Sequence, residues 1–429
     1  MNEKRRLTRR NFVKAAAACV VGPAVIPSSA LGLAGTVAPS NRIAMGFIGL
    51  GGRGTGGMRT FLGLDDAQVV AVCDVDRGTR EGARDLAKLP EGAAYSDFRE
   101  LLARPDVDAV QIATPDHWHV LPAIAAAKSG RDVYCEKPLS NTIAEGRALV
   151  DAVERYGTVF QHGTQLRSLR NVRFACELVR NGRIGTLQTI TIGSPPGHAT
   201  GAHPPEAVPE GLDYALWQGP APRAPYTPWR VKVPGELPCW YFISDYSKSG
   251  WIAGYGVHDI DIAHWGMDTE HTGPVEVEGE GVFPASGLFD TVLTYRLRFT
   301  YANGVVLNMT STDLNPHGVR FEGTKGWVFT RGGIDAEPKS LLQEVFGPGE
   351  THLYESTLHE RNFLDCVKSR ARTITPAEVA HRSTTVGLLG GIALTLGRKL
   401  RWDPQAERFV DDAEADRLLS YTMRAPWRL

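Results

Sequence analysis

Lys137 is the residue of this chain best placed to move a proton. It follows a run typical of a buried strand, residues 131–135, in the string Glu136-Lys137-Pro138. In a parallel sheet the carboxyl ends of the strands face the ligand crevice, so the amine would be presented there. Such an amine can hydrogen-bond a hydroxyl group or take its proton, whereas Glu136 would favour the charged form. Pro138 biases Lys137 toward an extended backbone. The alternative is a surface ion pair ahead of a helix.

A glycine-rich turn provides the second chemical pattern. The run 42–48 predicts a buried strand, and a second predicted strand, 68–73, ends at an acid. Between them lies a G-x-G-x-x-G turn. In such a βαβ unit the glycines allow a tight turn, close approach of a pyrophosphate and helix packing, and the acid binds ribose hydroxyls. The predicted contacts to a nicotinamide dinucleotide are Gly49, Gly51, Gly52, Arg53, Gly54 and Asp74.

The acid also indicates which dinucleotide binds. A carboxylate at Asp74 repels a 2′-phosphate, which favours NAD over NADP. Arg77 and Arg80 follow closely and would weaken this preference, unless both are solvated helix charges.

A third predicted strand, 107–112, precedes Thr114, Pro115 and His119. We expect Thr114 and Pro115 to lie beneath the nicotinamide ribose. We expect His119 to lie beside the cofactor, with a helix cap or a core histidine as the alternative.

The elements that position these residues alternate between strand and helix from about residue 42 to 161. This alternation predicts a doubly wound parallel sheet of the Rossmann type. The string Thr142-Ile143-Ala144-Glu145 fits a capping box that opens a helix to Tyr156. We therefore expect an NAD-binding domain at residues 39–162.

The pattern changes after Gly163. A predicted helix, 170–181, and a strand, 186–192, precede a Pro/Gly-rich stretch at 193–238, which is long enough to suggest a functional loop. Alternating runs then indicate antiparallel strands at 275–278, 291–300 and 305–310, and helices at 355–369 and 376–396. We expect residues 163–429 to form an α/β substrate and oligomerisation domain with a large mixed, mostly antiparallel sheet.

Residues 1–38 have the composition of an export signal and linker. Basic residues including Arg9-Arg10 precede an apolar run at 15–26 that is too short to span a bilayer. The paired arginines followed by Phe12 and Lys14 resemble a twin-arginine signal, which implies export to the periplasm.

The bulk composition excludes several classes of protein. The 429 residues carry a net charge of −1 with dispersed basic residues, so we expect no nucleic acid partner. We also expect no stable membrane span in the mature chain. Six cysteines, one within the export signal, argue against a disulfide framework.

Together these motifs resemble the Gfo/Idh/MocA family of oxidoreductases. The resemblance rests on the glycine turn, Asp74, the T-P-x-x-x-H string, E-K-P and the segment 161–167, which adds Gln165 and Arg167 to the expected cofactor contacts. It implies a Rossmann domain followed by an α/β domain whose open sheet commonly forms a dimer or tetramer interface. It also implies NAD(P)-linked oxidation or reduction of a sugar or polyol hydroxyl.

The same resemblance extends to the second domain. Family members often carry an acid four residues before a histidine, and here His258 and Asp261 fit while Gly254 replaces the acid. Lys137 and His258 are then the proton-transfer candidates, with Asp261 one turn on and able to orient the imidazole. Asp245 and Tyr246 are alternative sources of the missing polar group. A metal site at His258, Asp261 and His264 is disfavoured because their spacing drifts around a helix.

Three functions are consistent with these residues. The first is an exported NAD-dependent carbohydrate oxidoreductase whose dinucleotide is tightly bound. The second, supported by the loss of the acid at Gly254, resembles NAD-dependent α-N-acetylgalactosaminidases, which oxidise a sugar transiently, eliminate the substituent and reduce the product. The third is a sugar- or nucleotide-binding protein without catalysis.

Overall fold

Two sheets form the framework of the described part of the chain, residues 37–233 and 238–429, in this computed structural model. The predicted export signal lies outside these ranges, apart from its last two residues. Among the described helices, none is both long and apolar enough to cross a bilayer.

The first sheet has six parallel strands in the order β3-β2-β1-β4-β5-β6, which is the dinucleotide-binding order. β4 and β5 are buried at every residue, as expected for a parallel sheet covered by helices on both faces. The strands are Ile43–Ile48 (β1), Ala67–Cys73 (β2), Ala94–Tyr95 (β3), Ala109–Ile112 (β4), Asp132–Cys135 (β5) and Phe160–His162 (β6). The helices are Gly52–Leu62 (α1), Arg77–Leu86 (α2), Phe98–Leu102 (α3), Val120–Lys128 (α4) and Ile143–Tyr156 (α5).

The second sheet has nine strands in the order β13-β12-β11-β7-β10-β9-β8-β14-β15. Only the β7–β10 pair is parallel among the pairs described, so the sheet is mixed and mostly antiparallel, and the predicted fold class is confirmed. The strands are Leu187–Ser194 (β7), Glu276–Val282 (β8), Thr294–Thr300 (β9), Val306–Ser311 (β10), Gly318–Gly323 (β11), Gly326–Arg331 (β12), Gly333–Glu337 (β13), Leu400–Asp403 (β14) and Arg408–Phe409 (β15).

One face of this sheet is covered by helices. Along β9, Tyr295, Leu297 and Phe299 are buried while Arg296 and Arg298 are exposed, which is the alternation of a half-buried strand. The helices of this half are Arg170–Arg180 (α6), Tyr214–Gln218 (α7), Pro228–Val231 (α8), Trp251–Gly254 (α9), Val257–Met267 (α10), His359–Ser369 (α11), Ala377–Leu396 (α12) and Ala413–Asp416 (α13).

The long segment between β7 and α9 packs around its own aromatic core. Tyr214, Trp217 and Tyr246 are buried there, and the Trp217 ring meets the Tyr246 ring edge-on at 4.8 Å. The ring of Trp427, near the end of the chain, meets Trp118 of the first half edge-on at 4.7 Å.

Charged side chains connect the two halves. Arg147 of α5 donates to Glu378 of α12 at 2.8 Å and to Glu407 at 2.6 Å. The same Glu407 carboxylate lies 2.8 Å from the ring of His381, which is almost fully buried. The nucleotide-binding half and the second half are thus joined by a partly buried charge network.

Candidate active site

The glycine turn has the space that a pyrophosphate requires. Gly49 has a φ of +82°, and a Cβ there would lie 2.6 Å from the Thr114 nitrogen. A Cβ on Gly54 would lie 2.0 Å from the Gly49 carbonyl oxygen, so only glycine lets α1 pack this closely. Gly51 and Gly52, by contrast, face open space at the start of α1, where no side chain caps the helix. The uncapped N–H groups fit an anionic group.

Asp74 lies at the end of β2 beside this turn. Its carboxylate accepts hydrogen bonds from the Leu50 N–H at 2.7 Å and the Asp76 N–H at 2.9 Å. Arg80 donates to the Asp74 backbone carbonyl, and Arg77 lies 3.9 Å from the exposed Glu210 carboxylate. Neither arginine neutralises the Asp74 carboxylate through a direct contact in the described residues, so the acid remains available to a ribose.

Thr114 and His119 lie next to the turn, at the end of β4. The Thr114 hydroxyl is buried and has no partner among the described residues, as expected for a group that awaits a ligand. The two ring nitrogens of His119 lie 2.6 Å from the Pro138 carbonyl oxygen and 2.8 Å from that of Thr114. Burial lowers the pKa of His119 to about 4. The neutral ring carries one N–H and so donates to one of these two carbonyls; it lies between the loop of Pro115 and the loop of Lys137 and supports the site.

Glu136 is the centre of a buried polar group beside the turn. One carboxylate oxygen accepts from Arg53 at 2.7 Å and from Gln165 at 3.1 Å, while the other is buried without a partner in the described part of the chain. Arg53 is half exposed, so it reaches from Glu136 toward the mouth of the site. The structure thus brings Arg53, Glu136 and Gln165 together.

The Lys137 amine bridges the two halves. It donates to the Gly254 carbonyl oxygen at 2.8 Å and contacts the Tyr241 hydroxyl at 3.2 Å. It also lies over the rings of Tyr241 and Tyr255, at 5.2 Å and 5.7 Å from their centroids. Burial is the largest influence on its pKa and lowers it below the ordinary lysine value, against the opposing charge of Glu136.

His258 is the second residue of helix α10 and is 9% exposed. Its Nδ1 atom is buried without a partner in the described residues. Burial, followed by the charge of Lys137, holds its pKa well below the ordinary histidine value, so the ring is neutral. A neutral imidazole with a free nitrogen can hydrogen-bond a substrate hydroxyl.

Asp261 and Arg167 require a correction. Arg167 donates to both Asp261 carboxylate oxygens at 2.7 Å and to Glu270 at 2.5 Å, and its side chain is only 2% exposed. Asp261 is therefore paired with Arg167 rather than with the His258 imidazole. Arg167 is an internal ion-pair partner rather than a group that reaches the cofactor.

The second half also differs from expectation around Gly254. Tyr246 is buried in the aromatic core, and it is Ser247 that reaches the site, donating at 2.7 Å to Asp116. His264 lies 2.7 Å from the Tyr301 hydroxyl, and no cluster suited to a metal is found in the described residues.

Two side chains of this site, Asp116 and His162, were not predicted from the sequence. Asp116 could have been found, because it is an acid two residues after Thr114 at a strand end. His162 is fully buried, with neither ring nitrogen partnered among the described residues. The sequence offers Tyr241 only as one of several aromatic residues that could stack on a sugar, and its contact with Lys137 is a finding of the structure.

Comparison with known proteins identifies the family. Residues 43–164 match the description "Oxidoreductase family, NAD-binding Rossmann fold", and residues 173–429 match "Oxidoreductase family, C-terminal alpha/beta domain". The chain belongs to the Gfo/Idh/MocA oxidoreductase family. Its site thus combines the glycine turn and lysine of a Gfo/Idh/MocA protein with a glycine at position 254.

Curated relatives of this Gfo/Idh/MocA chain include an alpha-N-acetylgalactosaminidase of Shewanella oneidensis. It is 32% identical over 203 residues, covering 42% of this chain and 44% of the relative. A glycosyl hydrolase family 109 protein of Shewanella pealeana is 31% identical over 207 residues, with the same coverage. The chain therefore spans less than half the length of these curated relatives.

Solved structures share the fold of this Gfo/Idh/MocA chain. The aldose-aldose oxidoreductase of Caulobacter crescentus, complexed with glycerol, has a TM-score of 0.62 at 19% identity and covers 84% of this chain and 99% of its own. The WlbA dehydrogenase of Bordetella pertussis, in complex with NADH and UDP-GlcNAcA, has a TM-score of 0.63 at 18% identity with the same coverage.

Proposed function

We propose that this protein is an NAD-dependent enzyme that transfers hydride to or from the carbon of a carbohydrate hydroxyl, with Lys137 moving the hydroxyl proton. The observation that carries the proposal is the Lys137 amine, seated between the Gly254 carbonyl and the Tyr241 hydroxyl near the glycine turn. Burial favours the neutral amine, which is the form that accepts a proton. The name of the aldose-aldose oxidoreductase and the UDP-GlcNAcA bound to the WlbA dehydrogenase support a carbohydrate substrate.

NAD, when bound, supplies the hydride acceptor. The residues of this chain do the rest: Gly51 and Gly52 leave room for the pyrophosphate, and Asp74 accepts from the ribose. The neutral His258 imidazole, at the start of α10, supplies a group that can hydrogen-bond a substrate hydroxyl and so orient the reacting carbon. The Asp74 carboxylate supports NAD over NADP because it repels a 2′-phosphate.

The setting of the enzyme is also part of the proposal. The twin-arginine pattern of residues 1–38 supports export to the periplasm, where no free NAD pool replaces a lost cofactor. We therefore expect a tightly bound dinucleotide, visible as near-ultraviolet absorbance of the purified protein. The open face of the second sheet supports assembly into a dimer or tetramer, which light scattering would measure.

A redox-assisted glycosidase is the second candidate. The curated relatives named as alpha-N-acetylgalactosaminidase and glycosyl hydrolase family 109 favour it, as does Gly254 in the place of the family acid. Its net reaction is hydrolysis of a glycosidic bond, with no net change in the redox state of the dinucleotide.

One experiment separates these candidates. The holoenzyme is offered a panel of free sugars and chromogenic glycosides while NADH absorbance and aglycone release are recorded together. Net NADH indicates the oxidoreductase, and aglycone without NADH indicates the glycosidase. Binding of sugars with neither signal would contradict both and leave a binding protein.

Lys137→Met tests the assigned residue. We expect turnover to fall by about 10²–10⁴-fold, the usual contribution of a general acid or base, while dinucleotide binding persists. Lys128→Met, at an exposed position ending α4, is the matched control and should retain turnover. Unchanged turnover in Lys137→Met would refute the role of the amine.

A further inference from the structure

The space at position 254 is filled from two directions. A Cβ built on Gly254 would lie 3.0 Å from carbon atoms of the Tyr241 ring and 3.7 Å from Oδ2 of Asp116. The tyrosine ring therefore fills much of the volume that a longer side chain would need. A carboxylate nevertheless approaches this position, that of Asp116 in the loop after β4 of the nucleotide-binding half.

Asp116 is built into this position. Its side chain is 2% exposed, and Oδ2 accepts from the Ser247 hydroxyl at 2.7 Å. Oδ1 is buried without a partner among the described residues. A buried carboxylate with an unpaired oxygen is costly unless a positive charge lies nearby, and the charge of Lys137 stabilises its ionised form.

We propose that Asp116 is a positioning residue that replaces the acid missing at Gly254, acting as the counter-charge of the Lys137 amine. This inference depends on the proposed function in one respect only, namely that Lys137 transfers a proton. Asp116 acts through the amine, and its Oδ2 atom lies 3.7 Å from the position that a Cβ at residue 254 would take.

Other charged groups also surround the pair, and each contributes to its titration. Glu136 raises the pKa of Lys137 as Asp116 does, whereas Arg53 and Arg331 lower it. The further titratable groups that share an electrostatic interaction with Lys137 or Asp116 are His119, His162, His258, Tyr241 and Cys135.

The protonation states of Asp116 and Lys137 are therefore linked. Burial raises the pKa of Asp116 to about 7, while the Ser247 hydroxyl and Lys137 oppose the rise. Above that pH the Asp116 carboxylate is charged and favours the ammonium form of Lys137, which opposes the effect of burial on the amine. Below it the carboxyl is neutral and no longer favours the ammonium form, so the two groups titrate as a coupled pair.

The test measures the protonation of the Lys137 amine directly and does not depend on catalytic turnover. The holoenzyme is labelled with trace acetic anhydride from pH 6 to 10, and acetylation of Lys137 is measured by mass spectrometry. In Asp116→Asn the Lys137 profile should move to lower pH, and at pH values below the amine pKa the labelling should rise about tenfold for each unit by which that pKa falls.

Two further variants keep the test decisive. Ser247→Ala removes the hydroxyl that favours the charged form of Asp116. It should therefore move the Lys137 profile to lower pH, by a smaller amount than Asp116→Asn does. It replaces Asp116→Asn in the test if that variant does not fold. Glu145→Gln removes another buried carboxyl whose pKa is raised to about 7, and should leave Lys137 labelling unchanged. If the pH profile of Lys137 acetylation is the same in the native protein, Asp116→Asn and Ser247→Ala, the proposal is overturned. Absent turnover with a shifted profile would instead count against the proposed function alone.

Discussion

The Nζ atom of Lys137 lies 2.8 Å from the carbonyl oxygen of Gly254, and this contact joins the nucleotide-binding half to the second half. The acceptor belongs to the backbone, so it persists whatever side chain occupies residue 254. The amine is thus fixed by main chain on one side and by the Tyr241 hydroxyl on the other. This arrangement predicts that the lysine remains seated although the family acid is lost.

Gly54→Ala should destabilise the protein and abolish dinucleotide binding. The new Cβ would lie 2.0 Å from the Gly49 carbonyl oxygen, and such overpacking costs about 1–3 kcal/mol. Gly56→Ala is the control, because that Cβ meets nothing within 4 Å on the same helix. It should stabilise by about 0.5–1 kcal/mol. Urea unfolding and fluorescence titration with NAD measure both effects, and equal behaviour of the two variants would contradict the assignment of the turn.

Asp74→Ser should weaken NAD binding and reduce the preference for NAD over NADP. Loss of a hydrogen bond to a charged group costs about 1.5–3 kcal/mol, and removal of the carboxylate relieves repulsion of a 2′-phosphate. Asp76→Asn is the control, because asparagine preserves the cap on Thr79 at the start of α2. Isothermal titration with both dinucleotides measures the change. An unaltered ratio of the two affinities would show that Asp74 does not contact the ribose.

Asp261→Asn should cost stability rather than alter the pH profile of turnover. Its carboxylate pairs with Arg167 in the interior, and breaking a buried ion pair costs about 3–5 kcal/mol. Asp268→Asn, whose partner Arg180 lies 3.0 Å away and whose side chain is 67% exposed, should cost about 0–1 kcal/mol. Chemical denaturation compares the two. A mild effect at Asp261, or an altered pH profile, would revive its role beside His258.

The pH dependence of stability should report Glu145. Burial raises its pKa to about 7, against bonds from Thr142 and Tyr421. Between the ordinary glutamate pKa of about 4 and pH 7 the folded state retains a proton that the unfolded state has lost, so stability falls as pH rises. Glu145→Gln removes this dependence and should gain stability relative to the native protein from pH 5 to 7.5.

The control for that prediction lies in the same helix. Glu154 is exposed, so Glu154→Gln should leave the difference between pH 5 and pH 7.5 unchanged. Urea unfolding of both variants at the two pH values measures the effect. A parallel pH dependence in Glu145→Gln and the native protein would show that Glu145 ionises normally.

Local patterns predicted the nucleotide-binding half well. Apolar runs gave its principal strands to within about two residues, and Thr142 caps α5 as the capping box predicts. The short strand Ala94–Tyr95 was missed because two residues show no periodicity. In the second half, β11–β15 were also missed.

The contacts within the site were harder to predict. Ser247 lies 131 residues from Asp116 in sequence, and Asp261 lies 94 residues from Arg167. Pairings at such separations are set by tertiary packing and leave no local pattern. The apparent one-turn relation of His258 to Asp261 was misleading, because a buried arginine from another element competes for the carboxylate.

The charge network of Arg147 limits how ligands reach the site. Swinging the two halves apart as rigid bodies would separate the Arg147 guanidinium from Glu378 and Glu407 and leave this partly buried charge unpaired, while both carboxylates would keep Arg382. Hinge opening is therefore energetically disfavoured. For the proposed substrate we therefore expect entry and product release by rearrangement of the irregular chain around Tyr241, and this motion is the step to compare with the turnover rate.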